Sequence, residues 1–209
     1  LARVSAMEYE FSHRILAEAL YAALTEDAFY ITMEKSVTEG SAREAMLRYL
    51  DYSMVEAHRY GVLLISADRK SGAAIWSRPL ERELEREKQR SKRDFIIHHM
   101  GQSSLESYEA MVAFMAGKSA PQIDAEAWYL SIVGIHPGSQ GRGHGVDLVE
   151  EVLHKTDSMN RPTYLETFSP RNISFYERLG YRSIDRIHEP TSRADYWIMS
   201  RESKDRPNE

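Results

Sequence analysis

Residues 127–145 read Ala127-Trp-Tyr-Leu-Ser-Ile-Val-Gly-Ile-His-Pro-Gly-Ser-Gln-Gly-Arg-Gly-His-Gly145, and this stretch decides the fold. Its first half, 127–135, is an apolar run of strand length that ends at His136-Pro137. Its second half crowds Gly138, Gly141, Gly143 and Gly145 into one turn. Directly behind the turn Val146, Val149, Val152 and Leu153, with Leu148 beside them, mark a helix to about Asp157. A strand, a glycine-rich turn and a helix start together make a phosphate-binding arrangement. Glycines let the backbone approach an anion closely, and consecutive N–H groups at a helix N-terminus supply donors and partial positive charge. Two common phosphate loops do not fit. The dinucleotide pattern starts at Gly141 and Gly143 but meets Val146 where its third glycine belongs, and the nucleoside-triphosphate loop has its spacing at Gly138 and Gly143 but His144 where lysine is needed.

Downstream, 163–168 (TYLETF) reads as a strand. Ser169-Pro170 opens a helix with a hydroxyl at the cap and proline at its first position. Ile173, Tyr176 and Leu179 share a face of that helix and Gly180 ends it, before two last strands at 181–187 and 194–200. Upstream, Phe11, Ile15, Ala19 and Ala23 recur at spacing four, which predicts a helix from Tyr9 to about Leu24. Ser41-Ala-Arg-Glu44 is a capping-box signature ahead of Met46, Leu47, Leu50, Met54 and Ala57, with Gly61 as the stop. Residues 62–66 and 73–76 read as strands joined by a hairpin turn, and 1–6 as a short first strand. The charged run 80–94 alternates in sign and reads as the solvated face of a helix. A further helix is expected over Leu105–Met115, broken at Pro121. The elements predict a mixed α/β fold in one domain over 1–200, with 80–126 a helical insertion and 201–209 a flexible tail.

The chain has 209 residues and a net charge of −5, a poor balance for a protein that binds nucleic acid by neutralising phosphates. No apolar run approaches the ~20 residues of a membrane span. The first residues carry no basic-then-apolar signal pattern, and a cytoplasmic location is expected. There is no cysteine, which removes disulfides, a thiol nucleophile and thiolate metal sites. His98-His99 suggests a metal pair, but sequence neighbours point apart on a helix or strand, so no metal is expected.

Gln140-x-x-Gly143-x-Gly145 resembles the pyrophosphate loop Q/R-x-x-G-x-G/A of the GNAT superfamily of N-acetyltransferases. Asn172-Ile-Ser-Phe-Tyr176-Glu-Arg-Leu-Gly-Tyr181 is similar to that superfamily's second signature, N-x-x-F-Y-x-x-L-G-F/Y, at the right distance. Within the superfamily the resemblance over 127–182 is nearest to the puromycin N-acetyltransferases.

The resemblance implies a mostly antiparallel sheet, flanked by helices and splayed between the strands carrying 130–135 and 163–168. It implies acetyl-CoA as cofactor, its pantetheine arm beside Val133, Gly134 and Ile135. The pyrophosphate would lie over Gln140, Gly141, Arg142, Gly143, His144 and Gly145, and Asn172 would bond the arm. Arg142 either adds charge or faces solvent. Tyr176 reads either as a core aromatic or as the catalytic group that hydrogen-bonds or protonates the leaving thiolate. Glu166 reads as the general base, as an anchor for the substrate ammonium, or as a structural hydrogen-bonding group. His136, beside the loop, reads as structural rather than as a base. Tyr30 and Trp76 would line the acceptor pocket or belong to the core. The implied reaction is direct transfer of an acetyl group to the primary amine of a small molecule in a ternary complex. The alternatives are a peptide or protein acetyltransferase, or an acyl-CoA-binding protein without activity. The exposed final hairpin offers an edge for a homodimer.

Overall fold

In a computed structural model, residues 9–204 are described, so the strand expected at 1–6 and the tail at 205–209 lie outside them. The chain runs α1 (Arg14–Leu24), α2 (Ala28–Lys35), α3 (Ala42–Tyr60), β1 (Gly61–Ile65), β2 (Gly72–Ser77), α4 (Arg82–Met100) and α5 (Gln102–Ser119). It continues through β3 (Trp128–Ile135), α6 (His144–Ser158), β4 (Thr163–Thr167), α7 (Ile173–Arg178), β5 (Arg182–Glu189) and β6 (Ala194–Arg201). The six strands form one sheet in the order β1-β2-β3-β4-β6-β5, and only the central pair β3–β4 is parallel. This is the mixed, mostly antiparallel fold expected from the sequence.

Two apolar layers sandwich the sheet. On one face Leu20, Leu47, Met54, Ile75 and Ile96 belong to a core built with α1, α3, α4 and α5; on the other, Leu148, Val152 and Tyr176 from α6 and α7 pack on Ala74, Trp76 and Leu165. The sheet switches faces inside β3. Ile75 pairs with Ile132 but Trp76 pairs with Leu130, so Ser131 is an extra residue in β3 and the alternation reverses there. Trp128 and Leu130 therefore share a core with Ile135, five residues past Leu130. Past the bulge Gly134 faces α1 so closely that a Cβ would lie 2.9 Å from Leu20 and 3.0 Å from Ala23.

Several expectations hold locally. Ser41 caps α3 and accepts from the Glu44 amide, and the helix stops at Gly61. The first helix differs. It starts at Arg14, because the buried carboxylate of Asp51 on α3 accepts from the Tyr9 hydroxyl at 2.8 Å and the Ser12 amide at 3.2 Å and holds 9–13 as an irregular lead-in. Phe11 is thus outside the helix, the row Leu16–Leu20 turns inward, and Ile15 is left 64% exposed. Helix α2 was not expected; Asp27 caps it through the Phe29 amide. The charged run of 80–94 does form a helix, but α4 continues to Met100 and buries Lys92, Phe95 and Ile96.

Strand β6 ends on Arg201, one residue into the stretch expected to be tail. Its guanidinium is buried and grips Asp157 at the end of α6 through two bonds of 2.8 and 2.7 Å, while Nε donates to the Leu179 carbonyl at 3.1 Å. Removing one partner strands the other charge out of water, so Arg201→Met is expected to cost about 3–5 kcal/mol, or a Tm lower by roughly 10 °C in a chain of this size. The guanidinium holds the Asp157 carboxyl below its ordinary value of 3.8. A depressed carboxyl adds stability above its unfolded pKa and loses it as pH falls through the folded one. Denaturation curves of wild type and Arg201→Met should therefore differ most at neutral pH and converge below about pH 4; a pH-independent gap would remove the ion pair as the cause.

Candidate functional site

The glycine-rich turn is built as a cradle. A short 3-10 turn at Pro137–Ser139 follows β3. The His136 amide donates to the Ser71 carbonyl at 2.7 Å, and its Nδ1 accepts from the Gly138 amide at 3.1 Å, so His136 is a structural clasp. The Gln140 amide group donates to the Ile135 carbonyl at 2.9 Å, tying the loop back to the strand end. Gly141 and Gly143 have φ of 77° and 87°, in the left-handed region, with nothing within 4 Å of where a Cβ would stand. Gly143 is the N-cap of α6, whose first amides lack intrahelical partners by helix geometry. Arg142 is exposed and His144 half-buried at this mouth. An anion fits such a loop on both charge and space.

Beside the cradle the sheet parts. Strands β3 and β4 are in register only from Trp128↔Thr163 to Leu130↔Leu165. Beyond that Val133, Gly134 and Ile135 pair with β2 alone, while Glu166 and Thr167 pair with β6. The free edge of β3 can take an extended chain as a further strand would. A cavity of about 540 Å³ opens at this gap, lined by Val133, Asn172 and Tyr176 together with Tyr30, Trp76 and Glu166. The structure thus brings together from six elements the residues expected to meet the reacting groups. The loop residues 140–145 are outside this lining, as a separate anchoring region would be.

The electrostatics of the cavity favour proton transfer. The Glu166 Oε2 accepts from the Tyr129 hydroxyl at 3.2 Å, while Oε1 is buried without a hydrogen-bond partner. Burial pushes its carboxyl up to about 7, against the lowering effect of the Tyr129 bond. Asp27 is a second such group, missed by the sequence reading. Burial pushes it up to about 6, although the amides of Phe29, Tyr30 and Phe168 stabilise its charge. Its only sequence signal was its place as a cap ahead of an unrecognised helix. Tyr176 is 6% exposed, and burial followed by the charge of Asp27 raises its phenol, so it keeps its proton at neutral pH. It is both a core aromatic and a cavity wall. Tyr30 is held protonated by burial, and Trp76 is fully buried with its Nε1 unpartnered. A carboxylate near neutrality and a protonated phenol on one cavity are an acid–base set.

His98 and His99 sit elsewhere, on α4, with rings 4.8 Å apart at 87°; His99 packs on Phe95. Among the described residues no group of three or more His, Asp or Glu side chains is placed to hold a metal ion, and no helix is long and apolar enough to cross a membrane.

Similar folds occur in solved structures. A protein of Corynebacterium glutamicum described as histone acetyltransferase HPA2 and related acetyltransferase is 20% identical, with a TM-score of 0.60 over 93% of this chain and 92% of that one. Polyamine N-acetyltransferase of Drosophila melanogaster is 12% identical, with a TM-score of 0.57 over 90% and 93% of the two chains. Arylalkylamine N-acetyltransferase 2 of Aedes aegypti is 14% identical, with a TM-score of 0.56 over 93% and 98%. At these identities the likeness establishes the fold. The sequence itself matches the acetyltransferase (GNAT) family over residues 64–181, more than half of the chain and a span that holds the cradle, the parted strands, Glu166 and Tyr176. With the fold, the loop and the family match in agreement, this chain belongs to the acetyltransferase (GNAT) family, and it is an N-acetyltransferase of that type.

Proposed function

We propose that the chain transfers an acetyl group from acetyl-CoA directly to the primary amine of a small molecule, both substrates being bound together. The observation that carries this reading is the meeting of Glu166 and Tyr176 on one cavity at the point where β3 and β4 part. The bound cofactor supplies an acetyl thioester. Gly141 and Gly143 leave room for its phosphates, with Gln140, Arg142, His144 and Gly145 around them, and the free edge at Val133, Gly134 and Ile135 and the side chain of Asn172 hold the arm. Glu166 takes a proton from the acceptor ammonium, since only the neutral amine is nucleophilic. The protonated Tyr176 hydroxyl donates a hydrogen bond to the departing sulfur, which leaves as a thiolate because its thiol is a stronger acid than the buried phenol. Tyr30 and Trp76 shape the acceptor end.

A small acceptor is supported by the walls: Lys88 and Lys92 of α4 and Tyr108 and Met115 of α5 line the cavity on the helical side, opposite the strands. Two of the fold neighbours are named for small amines, polyamines and arylalkylamines. The resemblance over 127–182 to puromycin N-acetyltransferases points the same way, to an aminonucleoside, aminoglycoside or other xenobiotic amine.

The test is an amine panel that includes puromycin, spermidine and a histone-like peptide, read by thiol release. Wild-type turnover should rise with pH through an apparent pKa near 7, because Glu166 must be ionised to act. Glu166→Gln should lower turnover and move the pH dependence toward the amine's own pKa. An unmoved profile with a raised KM would make Glu166 an ammonium anchor instead, and thiol release with the peptide but with neither puromycin nor spermidine would overturn the small-amine reading.

A further inference from the structure

The cavity has a second polar end. Glu56 of α3 is only 8% exposed and lines the cavity. Its Oε2 faces the Lys92 ammonium at 3.4 Å, whereas its Oε1 is buried without a hydrogen-bond partner. Lys92 has its contacts already. It bonds the Ser53 hydroxyl at 3.2 Å and lies over the Tyr49 and Tyr52 rings at 4.9 and 4.7 Å. Of this ion pair, one carboxylate oxygen, an acceptor, is left without a hydrogen-bond partner. Leaving such an oxygen buried and unpaired is costly, and a ligand group that donates to it recovers that cost.

The charges of the two ends differ. Glu56 is balanced by Lys92, so a second ammonium would add uncompensated charge there. Asp27 and Glu166 have no cation among the groups that tune them, which leaves that end negative. Aromatic rings join the ends. Phe29 packs on Tyr30 at 5.3 Å and on Tyr108 at 6.3 Å between ring centroids, Tyr108 packs on Tyr49 at 6.4 Å, and all four line the cavity. Tyr129 and Tyr164 add a stacked pair, 4.7 Å between centroids, beside Glu166.

We infer that Glu56 forms a subsite for the far end of the acceptor, and that the acceptor is a flat amine whose opposite end carries an uncharged hydrogen-bond donor, a hydroxyl or amide N–H. This rests on the proposed acetyl transfer for its orientation, with the ammonium toward Glu166. Binding to Glu56 can be read without turnover.

Three probes of similar shape separate the possibilities: tyramine with a distal hydroxyl, 4-methylphenethylamine with a methyl in its place, and 4-(aminomethyl)phenethylamine with a second ammonium. Calorimetric Kd and, where acetylation occurs, kcat/KM are measured for each. Tyramine should be favoured over the other two by about tenfold or more, the range for a hydrogen bond to a charged acceptor. Because Glu56→Gln alone leaves a buried lysine unpaired, the main variant is the double exchange Glu56→Leu/Lys92→Met, which replaces the ion pair by apolar groups of similar volume. In that variant the preference for tyramine over the methyl probe should fall to within about twofold, and the ratio cancels any uniform loss of activity. Equal or undetectable wild-type binding of tyramine and the methyl probe overturns the subsite. So does a preference that survives in the double variant, or a preference for the diamine. Discrimination in binding without thiol release would instead overturn the proposed transfer to a small amine and keep the subsite.

Discussion

Gly143→Glu is expected to abolish binding of acetyl-CoA while leaving the fold in place. The carboxylate would stand in the open space over the cradle, at the N-terminus of α6, where the cofactor's diphosphate is proposed to lie. Two like charges about 4 Å apart repel by roughly 4 kcal/mol at a surface-like dielectric, which is about a thousandfold in Kd for each phosphate charge. Gly143 also has a left-handed φ of 87°, so any side chain there adds strain. Gly143→Ala separates the two effects, since it carries the strain without the charge and should bind within about tenfold of wild type. Gly145→Glu is an independent check. A Cβ at that position meets the Phe175 ring at 3.5 Å, an ordinary contact, so charge dominates there. Calorimetry on folded protein decides the matter, and wild-type affinity in either glutamate variant would remove the loop from the cofactor site.

Tyr176→Phe is expected to lower turnover by ~10²-fold or more, the usual scale of general acid catalysis, with the Kd for acetyl-CoA nearly unchanged. The substitution deletes one hydroxyl and keeps the ring that packs 6.1 Å from Tyr181 and 5.2 Å from Phe175. Packing is therefore retained, and a thermal unfolding curve close to wild type should accompany the loss. The effect belongs in kcat and kcat/KM alike, as for a group that acts only in the transition state. If turnover is unchanged under conditions where chemistry limits the rate, Tyr176 is a core aromatic alone. Asp27→Asn gives a smaller companion effect. Burial is the main cause of the raised Tyr176 phenol and Asp27 the second, and Asp27 lines the cavity proposed to take the ammonium, so the variant should raise the KM for the amine more than it changes kcat.

Much of the frame was legible because its signals are local. Gly141 and Gly143 are required by the left-handed backbone of the turn itself. The apolar runs at 62–66, 73–76 and 127–135 specify strands through their short length and the turn residues that bound them, and Ser41 with Glu44 marks a helix start within four residues. The face of α1 was misjudged for a non-local reason. Asp51, nearly forty residues away, takes the amides that would otherwise have opened the helix, and the inward row shifts to Leu16 and Leu20. Helix α2 lacked a strong apolar period, and its cap Asp27 became recognisable as a site residue only once Tyr30, Phe168 and Tyr176 were seen around it.

The sequence by itself determined the order of the strands and of the helices other than α2 and the phosphate-type loop, and it singled out Tyr176 and Glu166 as candidates. It could do so because each is written in residues close together in the chain. Tertiary structure alone decided which charges are buried and against what. The rise of Glu166 to about 7 comes from burial, the Arg201–Asp157 pair joins the end of α6 to the last strand, and Glu56 meets Lys92 across two helices. Desolvation and pairing depend on what the fold places within a few ångströms, and sequence spacing carries no measure of that distance.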